Sequence, residues 1–459
     1  MVLCILQRGG DYISINQQLE LPFQKLNSKD SIEFLPYIPM RLTVNEIVEQ
    51  YLQKHMDYRT YEKLHKLVEC GTGKIVYHVD VCDHCGVVRV VANPCNHSIC
   101  PVCQERRSKL WIESRLPELL NVPYFHIVFC LPNKLFQLAM YNKKIIFDIM
   151  FKAVANAMNE IPDRDKIEIG FIASLHTSAA NIWFDPHMHV CTPGIGILND
   201  GKMNEYTSVE ALRLTKAQLS KKYCDSFLEN LQEIYFEQEV KISEEKEEDI
   251  IKWPENLKEL EHDEEKFKNW IEELRNEKWD VNVEDATESG SAKSLIEYIG
   301  QRLAITDRQL IEADDETIKF KDKRGKKIEM SIEEFIRRLT LHTMPSGYHR
   351  IRNYGFLSNC KKTEKLREIR EKLGLEEPEQ GVRKISICKQ CKEGEMRTVA
   401  TLLGGETVKT FEKNIKKLKI LPTWLRPLQE VESLPTAPPE VVSKLPDWLI
   451  RLIQSVDDD

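Results

Sequence analysis

Two Cys-x-x-Cys pairs, Cys82 with Cys85 and Cys100 with Cys103, stand fourteen residues apart, and no other feature restricts the folding of this chain as much. Two such turns can bring four thiolates into a tetrahedron, the geometry of a closed structural zinc site. Six of the thirteen cysteines fall between Cys70 and Cys103. No run of about 18 apolar residues exists, and Gln7 and Arg8 interrupt any signal-peptide core. The protein is therefore expected in the cytoplasm, where clustered thiols point to metal and not to disulfides. Cys70, Cys95, His78, His84 and His97 are near enough to replace one ligand or to build a second site. The later pair Cys388-x-x-Cys391 has no second knuckle beside it, so sequence alone closes no zinc site there.

The charge of the chain is unevenly spread. Its 459 residues amount to about three domains at roughly 150 residues each, and 42% hydrophobic with 30% charged residues excludes collagen-like, mucin-like and wholly disordered classes. The net charge of -8 would argue against a nucleic-acid partner, but Glu237 to Asp280 alone carries 17 acidic against 8 basic side chains, and Leu428 to Asp459 carries 7 against 2. Lys319 to Lys372 holds 16 basic and 7 acidic residues. There Arg337, Arg338, Arg350 and Arg352 are interleaved with Tyr348, Tyr354 and Phe356, as a surface for phosphates and stacked bases requires; a solvated charged face is the alternative reading of the same pattern. Arg106, Arg107 and Lys109, at the start of a helix just after the second knuckle, favour the same partner.

Periodicity predicts an α+β chain. A helix is expected from Thr43 to about Tyr61, a basic helix from Gln104 to Leu120, and a buried strand from Tyr124 to Cys130. Pro132 opens a long amphipathic helix to about Glu160. Ile167 to Thr177 and His187 to Ile197 read as strands joined by a turn near Asn181 and Asp185. Helical periodicity runs from Ser208 to Phe236 and, with a break at Pro254, through the acidic arm to Lys278. Ser289 and Ser291 can cap a short helix carrying Leu295, Ile296, Tyr298 and Ile299. Strands are expected at Arg302 to Thr306, Thr317 to Lys321 and Lys327 to Met330. Ser331 and Glu334 form a capping box for a helix to His342. Six prolines between Pro422 and Pro446 mark an irregular tail.

His187-Met188-His189 places two imidazoles on one face of a strand, where they either form a structural pair or hold a divalent cation with positions left open for a substrate oxygen. With the hairpin centred near 181 to 182, His176 lies opposite His187 as a third ligand. Gln301, one turn after Tyr298, competes for that role. Tyr298 itself can be a core side chain or a nucleophile that forms a covalent phosphotyrosine.

The order of these features resembles one family. The zinc knuckles, the strand from Val122 to Phe129, Leu175-His176-Thr177, the Pro-His-Met-His, the tyrosine helix, Phe335-Ile336-Arg337-Arg338 and Tyr348 to Gly355 are similar to the rolling-circle insertion-sequence transposases. These are relatives of Helitrons within the HUH (histidine, hydrophobic, histidine) single-strand endonucleases. The resemblance spans about residues 60 to 375. It implies an amino-terminal transposase zinc-binding domain and a nuclease on an antiparallel sheet with flanking helices. It also implies Mg²⁺ or Mn²⁺ at His187 and His189, and a 5′-phosphotyrosine link to Tyr298 that frees a 3′-hydroxyl. Where many relatives carry a second tyrosine, this chain has Arg302, so a single-tyrosine mechanism is the simpler reading.

The expected organisation is a helical lead-in at 1–62, a zinc-binding domain at 63–115, the first part of the nuclease core at 116–236, and an acidic helical insertion at 237–285. The tyrosine helix and the basic part of the core follow at 286–375, with a Pro-containing acidic tail at 376–459. The expected function is a metal-dependent DNA endonuclease and strand-transferase acting on single-stranded DNA at element ends and target, nucleoid-associated when bound to DNA. The alternatives are a plasmid or phage replication initiator and a catalytically inactive zinc-containing DNA-binding regulator.

Overall fold

The computed structural model describes Ile5–Arg8, Asp11–Ser14 and residues 42–417, apart from 56–57, 71–75, 160–166, 209–210, 212–214, 244–249, 286–291, 377, 379–386, 404–405, 411 and 416. The chain divides into two units, one of Met1–His97 with Val382–Asp459 and one of Ser98–Gly381. Ser289, Ser291 and the proline-rich tail lie outside the described residues.

Alternation of side chains along five antiparallel strands builds the larger unit. Their order is Val281–Asp285, Tyr124–Cys130, Phe184–Pro193, Phe171–Ser178 and Ile351–Tyr354. Phe125, Ile127, Phe129, Ala173, Leu175, Met188 and Val190 point to one face and enter the main core with the helices Lys143–Asn159 and Lys216–Ser243. The intervening residues, among them His126, Ser174, His176, His187 and His189, share the opposite face, because paired Cα positions of a ladder project to the same side. A second cluster forms there from Ile172, Cys191, Leu295, Ile296, Ile299, Phe356 and Ile369. It docks the helix Ala292–Gly300, whose exposed side keeps Tyr298. A three-stranded meander, Leu310–Ala313, Thr317–Lys321 and Lys327–Ser331, leads into the helix Ile332–Leu341.

The other unit carries the helices Val44–Lys54 and Tyr58–Val68 and a four-stranded antiparallel sheet in the order Glu406–Thr410, Met396–Leu403, Tyr77–Cys82, Val88–Ala92. Thr43 opens the first helix through a reciprocal box with Glu46, which satisfies two otherwise unpaired amide groups.

Several elements differ from the sequence expectation. The single helix from Thr43 is two helices, with His55 closing the first. The helix after Pro132 breaks at Asn142, whose amide donates to the carbonyls of Leu138 and Lys252. No strand forms at 302–306; Thr306 instead caps a short 3₁₀ turn, Asp307–Gln309. Ser331 accepts the Glu334 N–H, while the Glu334 carboxylate turns to Arg337 and Arg338.

Two larger segments also change role. The acidic helical insertion packs into the main core: Trp253, Leu260, Phe267, Trp270, Ile271, Leu274 and Trp279 belong to it, and Val281–Asp285 is the edge strand beside Tyr124–Cys130. Glu264, Glu265, Glu272 and Glu273 occupy the solvent side of an amphipathic helix, Glu264–Arg275. The region after 376 is no mere tail, since Met396–Leu403 pairs with Tyr77–Cys82.

Candidate active site and cysteine centres

Three imidazoles converge on the open face of the large sheet. His176 is the Cα partner of His187, and Ser174 that of His189. The ligand nitrogens of His176, His187 and His189 lie within 4.8 Å of one another. His187 donates from Nδ1 to the Asp185 carbonyl at 2.7 Å, which leaves Nε2 with its lone pair free. His189 has Nδ1 at 2.9 Å from Nε2 of His126, and its own Nε2 is enclosed without a hydrogen-bond partner among the described residues. A buried nitrogen left that way carries a desolvation penalty, which a bound cation removes. Burial, then the neighbouring histidines, hold His176 and His189 well below the usual imidazole range; burial also lowers His187, against the pull of Asp185. All three are neutral at pH 7, the state that ligates metal.

Tyr298 stands beside them. Its ring is 5.1 Å from that of His189 at 82°, and 5.9 Å from that of His126. The last turn of its helix is gripped from the sheet: the Ile299 carbonyl accepts Ser174 Oγ at 2.9 Å and lies 3.2 Å from Nε2 of His176. Gly300 permits the close approach of helix Pro101–Arg115, because a Cβ there would fall 2.7 Å from Ile112. Tyr298 remains 52% exposed. Burial of the hydroxyl, then the charge of Glu284, raises its pKa above the ordinary phenol value. Gln301, the rival third ligand, is exposed, with its N–H bonded to the Tyr298 carbonyl.

The basic candidates separate into two groups. Arg106, Arg107 and Lys109 lie exposed on helix Pro101–Arg115. Arg337 and Arg338 both pair with Glu334 and lie over the exposed ring of Trp183, at 5.5 and 4.9 Å. Arg350, Arg352 and Tyr354, expected to contact DNA, are instead used internally. Arg350 is buried and donates to the Leu175 carbonyl; Arg352 bonds Asp148 and covers the Phe151 ring at 4.1 Å; Tyr354 stacks on Phe171 at 4.8 Å. These contacts fix the edge strand to the core. Sequence reasoning missed His126, Glu284 and Trp183. Strand alternation could have put His126 and Glu284 on one face, but only the ladder makes them neighbours.

The cysteine pairing expected from sequence is revised. Cys82 and Cys85 converge with Cys388 and Cys391, all four sulfurs within 4.8 Å. Sulfur separations are 3.7 Å for Cys82 to Cys391 and for Cys85 to Cys388. The reason is the pairing of Tyr77–Cys82 with Met396–Leu403, which sets Met396 opposite Cys82. The two knuckles are alike: each turns through a positive φ, at Gly86 and Lys392, and in each a backbone N–H donates to a sulfur, from Cys85 to Cys82 and from Gly394 to Cys391. Gly394 is required by space, since a Cβ there would lie 2.4 Å from the Cys82 sulfur. Cys100 and Cys103 stay outside this group, at the N-cap and first turn of helix Pro101–Arg115, with their sulfurs close together. Cys70 and Cys95 form a further close pair.

Comparison with known proteins covers most of the chain. Residues 170–364 match a family described as "Putative transposase", and residues 43–131 match one described as "Transposase zinc-binding domain". The "Putative transposase y4qJ" of Sinorhizobium fredii is 30% identical over 382 residues, covering 76% of this chain and 92% of the relative. The "Transposase for insertion sequence element IS801" of Pseudomonas savastanoi pv. phaseolicola is 29% identical over 142 residues, covering 30% of this chain and 34% of that protein. No solved structure matches.

Proposed function

The chain belongs to the family of rolling-circle insertion-sequence transposases, and from that premise we propose that it nicks and rejoins single-stranded DNA at element ends through Tyr298. The observation that carries this reading is the position of Tyr298, half exposed, edge-on to His189 and 6.2 Å ring to ring from His176, two members of the histidine cluster. These three residues would hold Mg²⁺ or Mn²⁺. When bound, such an ion withdraws charge from the phosphate oxygens.

The chain's own residues do the rest. Tyr298 gives up its proton, and its oxygen bonds to phosphorus as the bond from phosphorus to the 3′ oxygen breaks. The 3′ oxygen takes up a proton and leaves as a hydroxyl, while the other strand end stays on Tyr298 as a 5′-phosphotyrosine. Attack by a 3′-hydroxyl then forms a new phosphodiester, and Tyr298 regains its proton. Ser174 and His176, by holding the Ile299 carbonyl, keep the nucleophile in place. Arg106, Arg107 and Lys109 would contact backbone phosphates, and Trp183 would offer a face to a base.

Zinc is assigned a structural role, in line with the zinc-binding domain of the family. Cys82, Cys85, Cys388 and Cys391 would hold the ion. Among the described residues no helix is long and apolar enough to cross a membrane, and action on nucleoid DNA in the cytoplasm is proposed with the function.

Incubation with labelled single-stranded element ends and Mn²⁺ tests the reading. A covalent protein-DNA adduct is expected from the wild type and none from Tyr298→Phe. An equal adduct yield from the variant would remove Tyr298 as nucleophile, and DNA binding with no adduct from either would favour the inactive regulator.

A further inference from the structure

Behind His189 runs a line of polar groups that belongs to neither the cation site nor the nucleophile. Glu284 is the Cα partner of His126 across the edge of the sheet, and its carboxylate lies 3.5 Å from Nδ1 of His126. Nε2 of His126 lies 2.9 Å from Nδ1 of His189. We infer that Glu284 and His126 are positioning residues: they fix the proton of His189 on Nδ1 and so present the Nε2 lone pair to the cation.

The contact between two imidazole nitrogens needs one donor and one acceptor, which permits only two arrangements. In the first, His189 Nδ1–H donates to His126 Nε2, and His126 Nδ1–H donates to the Glu284 carboxylate. Every N–H then meets an acceptor. In the second, His126 donates to His189. His189 Nε2 would then carry a hydrogen in an enclosed place with no acceptor, and the lone pair on His126 Nδ1 would face a carboxylate. The second arrangement leaves one buried donor unpaired and sets two acceptors together, so the first is favoured. Carboxylate to histidine to ligand is also how metal sites set ring orientation and basicity. Glu284 comes from the strand that ends the acidic arm, so the arm supplies a group to the site.

This role rests on the proposed cation site, and the experiment separates the two. Mn²⁺ affinity is measured by calorimetry on the full-length protein, and the histidine tautomers by nitrogen NMR of the metal-free protein. His126→Phe should weaken Mn²⁺ binding about 10–100-fold. His126→Gln, whose amide oxygen can accept from His189, should retain most of the affinity, and Glu284→Ala should fall between. Glu284 is half exposed, so its removal leaves the fold intact even where His126→Phe does not fold. Wild-type affinity in both His126→Phe and Glu284→Ala would overturn the inference while leaving the cation site standing. Absence of Mn²⁺ binding by the wild type would instead overturn the cation site. The tautomer then decides the positioning role: Nδ1–H at His189 supports it and Nε2–H overturns it.

Discussion

The sulfur of Cys82 lies 3.7 Å from that of Cys391, across 309 residues of sequence. The unit that carries this cysteine group is thus assembled from two stretches distant in sequence, with the larger unit between them along the chain. Metal analysis of the full-length protein should find zinc. Cys388→Ala with Cys391→Ala should lower the content by one ion per chain and lower the melting temperature, because the binding energy of a structural zinc is folding energy. An unchanged zinc content would remove Cys388 and Cys391 as ligands.

Replacing His187 or His189 by Ala should abolish Mn²⁺ binding and adduct formation while the zinc content stays at the wild-type value. The thiolate groups and the histidine site share no residue. Loss of zinc along with Mn²⁺ would mean a folding defect, and adduct formation by the variants would refute the ligand assignment.

The acidic arm should behave as core. Trp270 is 8% exposed and packs against Phe267 and Trp253. Trp270→Ala is expected to cost about 3–5 kcal/mol in urea unfolding, and deletion of residues 237–280 should leave the larger unit unfolded. Full stability of the deletion variant would contradict a core role for the arm.

His342 should give the larger unit a pH dependence. It is buried, donates from Nε2 to the Ile182 carbonyl and accepts the Thr177 hydroxyl at Nδ1, tying down the turn that sets His176 opposite His187. Burial pushes its pKa down to about 3. The folded state therefore resists protonation that the unfolded chain accepts near 6.5, and stability present above that value is lost as pH falls toward 3. Between pH 7.5 and 5.5 the wild type should lose about 1 kcal/mol more stability than His342→Gln. Equal losses in urea melts would contradict this.

Much of the site was legible from residues close in sequence. The His-x-His spacing put two imidazoles on one strand face, and a hairpin near residue 182 put His176 across from His187. What escaped depends on pairing between distant segments. Nothing near Cys388 announces Cys82, and nothing near Glu284 announces His126, since ladder partners are chosen by the whole sheet. The charge of the arm hid its packing into the core, although Phe267, Trp270, Ile271 and Leu274 follow helical spacing and are all buried. Leu303, Ala304 and Ile305 have strand composition, yet they follow the end of the tyrosine helix and pair with no strand. Arg352 and Tyr354 read as DNA contacts because sequence shows a charge or a ring but not the Asp148 and Phe171 that engage them.

The most direct test of the account is peptide mapping by mass spectrometry of the adduct formed with a single-stranded element end and Mn²⁺. The account predicts the nucleotide on the peptide carrying Tyr298, joined through its 5′ phosphate. Attachment at any other residue, or strand cleavage without attachment, would contradict it.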